Sequence, residues 1–284
     1  KMIYQIYHTA RVGSTLLTSL LSSLGNAYSE PSWTEDLLNV CELPDISNHY
    51  GSIVKFQSIN TRVGFKPPGP KVFLYRPLAQ YLYKMNTCTP EWIQGRKEMY
   101  SEWYEQIKGE ELKGLFPENI MQLHSIFWAS CVLEMKRYDD VLWIESNKLF
   151  NNKEQISRNV ISHFGLSGEP EMRFANINVK SLIFESSLVS FDNQNNIEHS
   201  SVDDSHGVIN ESQYSNDKKI LDTLDWFRST IKQIDETKIS IPLFIFCCHG
   251  SKCITSISIN GGENKLDVCT DPDNISSVSG INLI

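Results

Sequence analysis

Arg11, Gly13, Ser14 and Thr15 stand within five residues of one another, between an apolar run and a stretch with helical spacing. A fixed planar cation, a residue without Cβ and two hydroxyl donors in that order suit one task, holding an anion. Residues 2–8 (MIYQIYH) before them have strand composition, and residues 14–24 (STLLTSLLSSL) repeat apolar positions at helical spacing until Gly25-Asn26. Strand, tight loop and helix form an anion site across residues 8–17, because the amides that open a helix lack internal partners and carry the positive end of its dipole. Val12, Gly13, Ser14, Thr15 and Leu16 supply that backbone, and Gly13 permits close approach. A serine that merely caps the helix, with a solvated arginine, is the plainer reading of the same residues.

A loop that hydrolyses ATP or GTP reads G-x-x-x-x-G-K-S/T. Here no lysine precedes Ser14 or Thr15. The next apolar strand, residues 71–75 (KVFLY), ends in Arg76, where a magnesium nucleotide site would want an aspartate. A cation in that place suits a metal-free anion site.

These residues resemble a known family. ARVGSTLL is similar to the 5′-phosphosulfate loop of sulfotransferases that use 3′-phosphoadenosine-5′-phosphosulfate (PAPS), in the bacterial form R-x-G-S-T-L-L. KVFLYRPLAQYLYKM resembles the family's second signature, a strand ending in arginine followed by a helix, which holds the 3′-phosphate. YSEP (28–31), VLWIESNKL and HFGL resemble later segments, so that the likeness covers residues 2–170. It implies that Arg11 contacts the phosphosulfate, that residues 12–16 cradle it, and that Arg76 binds the 3′-phosphate. One position departs: the family usually has serine eight residues after that arginine, and here Lys84 stands there, able to bind phosphate as a point charge. Lys180 and Arg173 are the candidates for the family's later basic segment. PAPS would be co-substrate and 3′-phosphoadenosine 5′-phosphate (PAP) the product, with no metal.

Sulfuryl transfer needs position, charge stabilisation and a base near the acceptor, since a neutral alcohol is a poor nucleophile. Glu30, just after the first helix, where members of the resembled family often place an acid, and before Pro31, is the first choice for the base; a surface acid at a turn is its bland reading. His124, in a strongly helical stretch, is the second, with a packed helix residue as the plainer alternative. His49 and His8 rank below, and His8 abuts the loop. Lys55, at the end of an apolar IVK, should lie at the carboxyl edge of the sheet, stabilising the bridging oxygen or binding substrate unless it is simply solvated. Glu145 is expected to cap a loop or orient the loop arginine. Trp92, Tyr100, Trp103 and Tyr104 are candidate walls of an acceptor pocket, at least two of them expected to be core.

The elements that must position these groups alternate between strand and helix. Residues 53–57, 71–75 and 141–144 read as strands; 78–85, 119–137, 153–164 and 220–234 read as helices; 89–114 reads as a partly helical insertion. This is an α/β chain: a three-layer, P-loop-like parallel sheet flanked by helices, over residues 1–242. Residues 186–215, rich in Asn, Ser and Asp, are expected to form a loop or lid. Residues 243–284 form a β-prone tail that adds strands, makes a homodimer contact or stands as a small module.

Composition is that of a globular protein, with 40% hydrophobic and 21% charged residues among 284. A net charge of −8 speaks against nucleic acid and against a highly sulfated polysaccharide acceptor, while leaving room for a local positive pocket. No apolar run is long enough to span a membrane, and Met2 reads as the natural start, so a cytoplasmic enzyme is expected. Cys41, Cys88 and Cys131 are scattered, as in reduced proteins; Cys247, Cys248, Cys253 and Cys269 with His249 match no zinc spacing. The leading expectation is a sulfotransferase acting on the hydroxyl or amine of a small molecule, with a secondary-metabolite acceptor implied by the resemblance alone. A phosphotransferase on a related fold and a non-catalytic nucleotide-binding module are the alternatives.

Overall fold

β1 (Tyr4–His8) is the central strand of a five-stranded sheet. The computed structural model describes residues 2–41, 43–176, 188, 207–232 and 234, together with backbone strands at 248–249 and 252–253. β2 (Ala27–Ser29), β3 (Ile53–Lys55), β4 (Lys71–Tyr75) and β5 (Val141–Glu145) complete the sheet in the order β2-β3-β1-β4-β5, and every pairing is parallel. After β1 the chain moves toward the β2 edge; after β4 it moves toward β5. The carboxyl ends of β1 and β4 therefore flank the topological switch point, where open α/β sheets form their ligand crevice.

Alternation along the strands sorts side chains into two cores. Ile6, Val72 and Leu74 pack with α1 (Ser14–Leu20) and α8 (Lys153–His163) on one face. Leu16, Leu17, Leu20 and Leu21 are at most 3% exposed, and each such burial contributes about 1.5–3 kcal/mol. Tyr7, Phe73 and Tyr75 turn to the other face, where Tyr7 stacks on Phe56 and both Phe73 and Tyr75 meet Trp143. α3 (Leu78–Asn86), α6 (Ile120–Met135) and α9 (Lys218–Thr230) pack against one another. Trp128 of α6 ties this layer to the sheet by donating its indole N–H to the Arg76 carbonyl at 2.8 Å. The three-layer parallel architecture expected from the alternation is present.

The insertion after α3 is two helices, α4 (Pro90–Glu102) and α5 (Tyr104–Lys108). Thr89 caps α4 by accepting from the Trp92 amide, and Pro90 occupies the first turn, where a missing N–H costs nothing. Three elements lacked a periodic signal: the three-residue β2 and the four-residue α2 (Trp33–Asp36), too short to show a period, and α7 (Ser146–Asn151), which follows β5 directly.

The chain divides into two compact units, Lys1–Thr237 and Lys238–Ile284. In the second, β6 (Cys248–His249) and β7 (Lys252–Cys253) form an antiparallel pair. The expected lid at 186–215 lies outside the described residues as far as 206, apart from Leu188, which bridges to Tyr28 of β2. Among the described residues no helix is long and apolar enough to cross a membrane.

Candidate anion-binding site

The turn after β1 is built from unusual backbone. Ala10, Arg11 and Gly13 have φ of 75°, 53° and 87°; a non-glycine residue in that region costs roughly 1–2 kcal/mol. Specific contacts hold it there. Nδ1 of His8 accepts the Ala10 N–H at 3.0 Å. The Arg11 carbonyl accepts from Arg76 Nε at 3.1 Å, the Val12 carbonyl from Ser146 Oγ at 2.8 Å, and the Gly13 carbonyl from the Leu17 N–H at 3.0 Å. In a planar trans peptide the N–H points opposite to the carbonyl. The N–H groups of Val12, Gly13 and Ser14 are therefore each turned away from the donor that meets the carbonyl of the same peptide. They donate to no protein acceptor among the described residues. The changes of φ sign around Val12 make the concave backbone that binds anions. A Cβ on Gly13 would meet Phe150 Cζ at 2.9 Å, so this position also closes the packing under the turn. Val12 and Leu16 bury their side chains in the core and bring only backbone to the loop.

Four expected residues meet at the carboxyl edge. Lys55, ending β3, is 5% exposed. Its Nζ donates to Thr15 Oγ1 at 2.8 Å and Ser29 Oγ at 3.3 Å, and pairs with Glu30 Oε1 at 2.9 Å. Glu30 has φ 53° and donates its N–H to the Lys55 carbonyl at 2.8 Å. Its side chain is 41% exposed, so the carboxylate faces both the cation and the open edge. Burial pushes its pKa up, but the Lys55 ammonium and the His8 hydrogen bond outweigh this and hold it well below the usual carboxylate range. His8 accepts at Nδ1, so its proton sits on Nε2, which donates to the Phe56 carbonyl at 2.9 Å and lies 3.5 Å from Glu30. Burial lowers the His8 pKa, which keeps the ring neutral.

Arg76 is fully buried. Besides the Arg11 carbonyl it donates to Asn147 Oδ1 at 3.1 Å and to the Gly207 carbonyl at 3.0 Å. Burial lowers its pKa to about 10, against the raising effect of Glu145. Glu145 thus acts electrostatically on Arg76. Asn147 also holds both the N–H and the carbonyl of Ile209, which brings residues 207–209 onto α7. Lys84 is buried in the last turn of α3, and its carbonyl accepts from the Cys88 thiol.

His124 is placed differently from its expected role. It is 1% exposed, bonded through Nδ1 to Tyr100 Oη at 3.0 Å and surrounded by Tyr81, Tyr100 and Trp92. Burial, aided by Arg96, lowers its pKa to about 3. A neutral, enclosed imidazole of that acidity is a weak base, and its geometry is that of a core histidine. His49 stacks on Trp33. Arg173 pairs with Glu171, and Lys180 lies outside the described residues. Of the insertion aromatics, Tyr100 is core, Tyr104 bonds the Leu115 carbonyl, and Trp103 lines a separate open cleft of about 980 Å³. Four charges of that cleft, Arg62, Glu111, Glu134 and Arg137, pair with one another.

Trp92 stays at the site, with the Arg11 guanidinium 5.1 Å and the Arg96 guanidinium 4.7 Å from its ring centroid. Sequence reasoning missed Arg96, Ser146 and Asn147. Only the four-residue step from Trp92, on a helix opened by Thr-Pro, could have pointed to Arg96. Among the described residues no group of three His, Cys, Asp or Glu side chains could hold a metal ion.

No protein-family model and no curated protein matches the sequence. Solved structures similar to this chain include a sulfotransferase domain from the curacin biosynthetic pathway, at 14% identity, covering 80% of this chain and 97% of that one, with TM-score 0.42. A sulfotransferase domain from a Synechococcus olefin synthase matches at 10% identity, covering 82% and 95%, with TM-score 0.43. A mouse sulfotransferase complexed with PAP matches at 12% identity, covering 82% and 85%, with TM-score 0.37.

Proposed function

We propose that the chain is a PAPS-dependent sulfotransferase that moves a sulfuryl group to the hydroxyl or amine of a small acceptor. One observation carries the reading: the Lys55 ammonium joins the Thr15 hydroxyl of the anion loop to the Glu30 carboxylate at the open sheet edge. That places an anion cradle, a cation and a proton acceptor at one point. The donor set fits a phosphosulfate, since free amides, a hydroxyl and an ammonium all favour a dense oxyanion. Bound there, PAPS supplies an activated sulfuryl group.

The amides of residues 12–14, Thr15, Arg11 and Lys55 would hold the phosphosulfate oxygens, while Arg76, buried and bonded to the Arg11 carbonyl, Asn147 and the Gly207 carbonyl, braces the loop instead of meeting the 3′-phosphate itself. The bond from sulfur to the bridging phosphate oxygen breaks as the bond from sulfur to the acceptor oxygen forms. The acceptor proton passes to Glu30, and PAP leaves. Such transfers have loose transition states by analogy with phosphoryl transfer, so position and charge matter more than base strength. Glu30 is a weak base while Lys55 pairs with it. As Lys55 turns to the charge growing on the bridging oxygen, Glu30 loses its counter-ion and becomes more basic.

Calorimetry with PAP and with ADP tests the reading. The expected result is a preference for PAP of about tenfold or more, near 1.4 kcal/mol, with label transferred from PAPS to a hydroxylated acceptor. Equal, weak binding of the two nucleotides sinks it.

A further inference from the structure

We infer that Arg96, with Trp92, forms the acceptor subsite, and that the acceptor carries an anionic group of its own beside the hydroxyl it offers. This rests on the reading above, which leaves the acceptor open.

α4 presents Trp92 and Arg96 one turn apart, and the Thr89 cap with Pro90 fixes the start of the helix and so their phase. The helix is anchored to the sheet edge through Arg96 itself, whose Nη1 donates to Ser58 Oγ at 2.6 Å. Ser58 opens the short turn that follows β3, three residues beyond Lys55, and Thr61 at the end of that turn bonds both the N–H and the carbonyl of His8. Arg96 thus stands over the same edge as Lys55, His8 and Arg11. Its field is felt there: His8, lowered chiefly by burial, is lowered further by Lys55 and by Arg96.

Arg96 is half-buried, yet among the described residues it pairs with no carboxylate. Its bonds run from Nη1 to Ser58 and to Met99 Sδ, and its Nε and Nη2 donate to no described protein acceptor. A partly desolvated guanidinium without a counter-charge is costly, and the fork left open matches a carboxylate or phosphate. A second guanidinium, Arg11, lies against the same indole. Arg11 belongs to the donor loop, and Arg96 reaches the edge from α4. The half-buried indole beside both adds apolar surface for the body of the acceptor.

The test is calorimetric titration of the PAP-loaded protein with para-hydroxyphenylacetate and with its methyl ester, which differ in the anionic charge. The acid should bind about tenfold more tightly or better, Arg96→Ala should bring acid and ester together, and Arg96→Lys should keep part of the preference. Equal affinity in the unaltered protein, or a preference that survives Arg96→Ala, overturns the inference. So does a fall in PAP affinity in Arg96→Ala as large as the fall for the acid, which would place Arg96 in the donor site. Absence of PAP binding would defeat the sulfotransferase reading alone, because the acid and ester comparison can be made on the nucleotide-free protein.

Discussion

Glu30 and Lys55 act as one unit in this site. The ammonium holds the carboxylate ionised and weakly basic, and the carboxylate steadies the ammonium beside Thr15. Glu30→Gln is expected to lower kcat by about a hundredfold or more, the usual range for a positioned base. Lys55→Met removes the charge that depresses Glu30, so the Glu30 pKa rises and the acid limb of the pH–rate profile moves to higher pH. The double variant should lose less than the sum of the singles, because the two groups share an interaction. Additive losses with an unmoved acid limb would separate them. His124 gives a second test at this scale. Its folded pKa of about 3 lies below the roughly 6.5 of an unfolded histidine. Its contribution is present in full above pH 6.5 or so and declines as pH falls toward 3, because the unfolded chain then binds the extra proton. Urea unfolding at pH 7 and pH 5 should show lower stability at the acid value. His124→Phe should flatten the dependence by up to about 1.4 kcal/mol per pH unit; an unchanged slope would contradict a buried neutral ring.

At the scale of elements, the turn from β1 into α1 joins backbone strain to function. Arg76 from the end of β4 and Ser146 from the start of α7 pull adjacent loop carbonyls inward, and the amides open outward as a consequence. Gly13→Ala tests this coupling. The new Cβ meets the tip of the Phe150 ring, which can yield, but the φ of 87° cannot be relieved in the same way. A loss of about 1–2 kcal/mol in stability is expected, with a parallel loss of PAP affinity; unaltered nucleotide binding would mean that the loop amides are not the cradle. The first loop was legible in the sequence because its strand, glycine and helix are contiguous and each carries a local signal. β2 was not, since three residues show no period, and its edge position is set by pairing with β3.

At the scale of the molecule, every described group that shapes the site belongs to the first compact unit, from His8 to Gly207. A chain ending at Thr237 should therefore keep its melting transition and its affinity for PAP, as thermal denaturation and calorimetry would show. Loss of either would assign the second unit a part in the site. Arg11, Lys55, Arg76 and Arg96 converge on one edge of a chain whose net charge is −8.

The sequence by itself determined the α/β alternation and marked a candidate anion loop and Lys55, because each rests on neighbours along the chain, while Glu30 was marked by family resemblance. Only the tertiary structure decided their relations. Lys55 lies forty residues from Thr15, yet the parallel pairing of β3 with β1 sets them 2.8 Å apart. Arg76 lies sixty-five residues from Arg11, and the β1–β4 pairing turns it into the brace behind the loop. His124 is enclosed by Tyr81, Tyr100 and Trp92 for the same reason. Helical period fixes which residues share a face, but packing alone settles whether that face meets aromatic rings or a ligand.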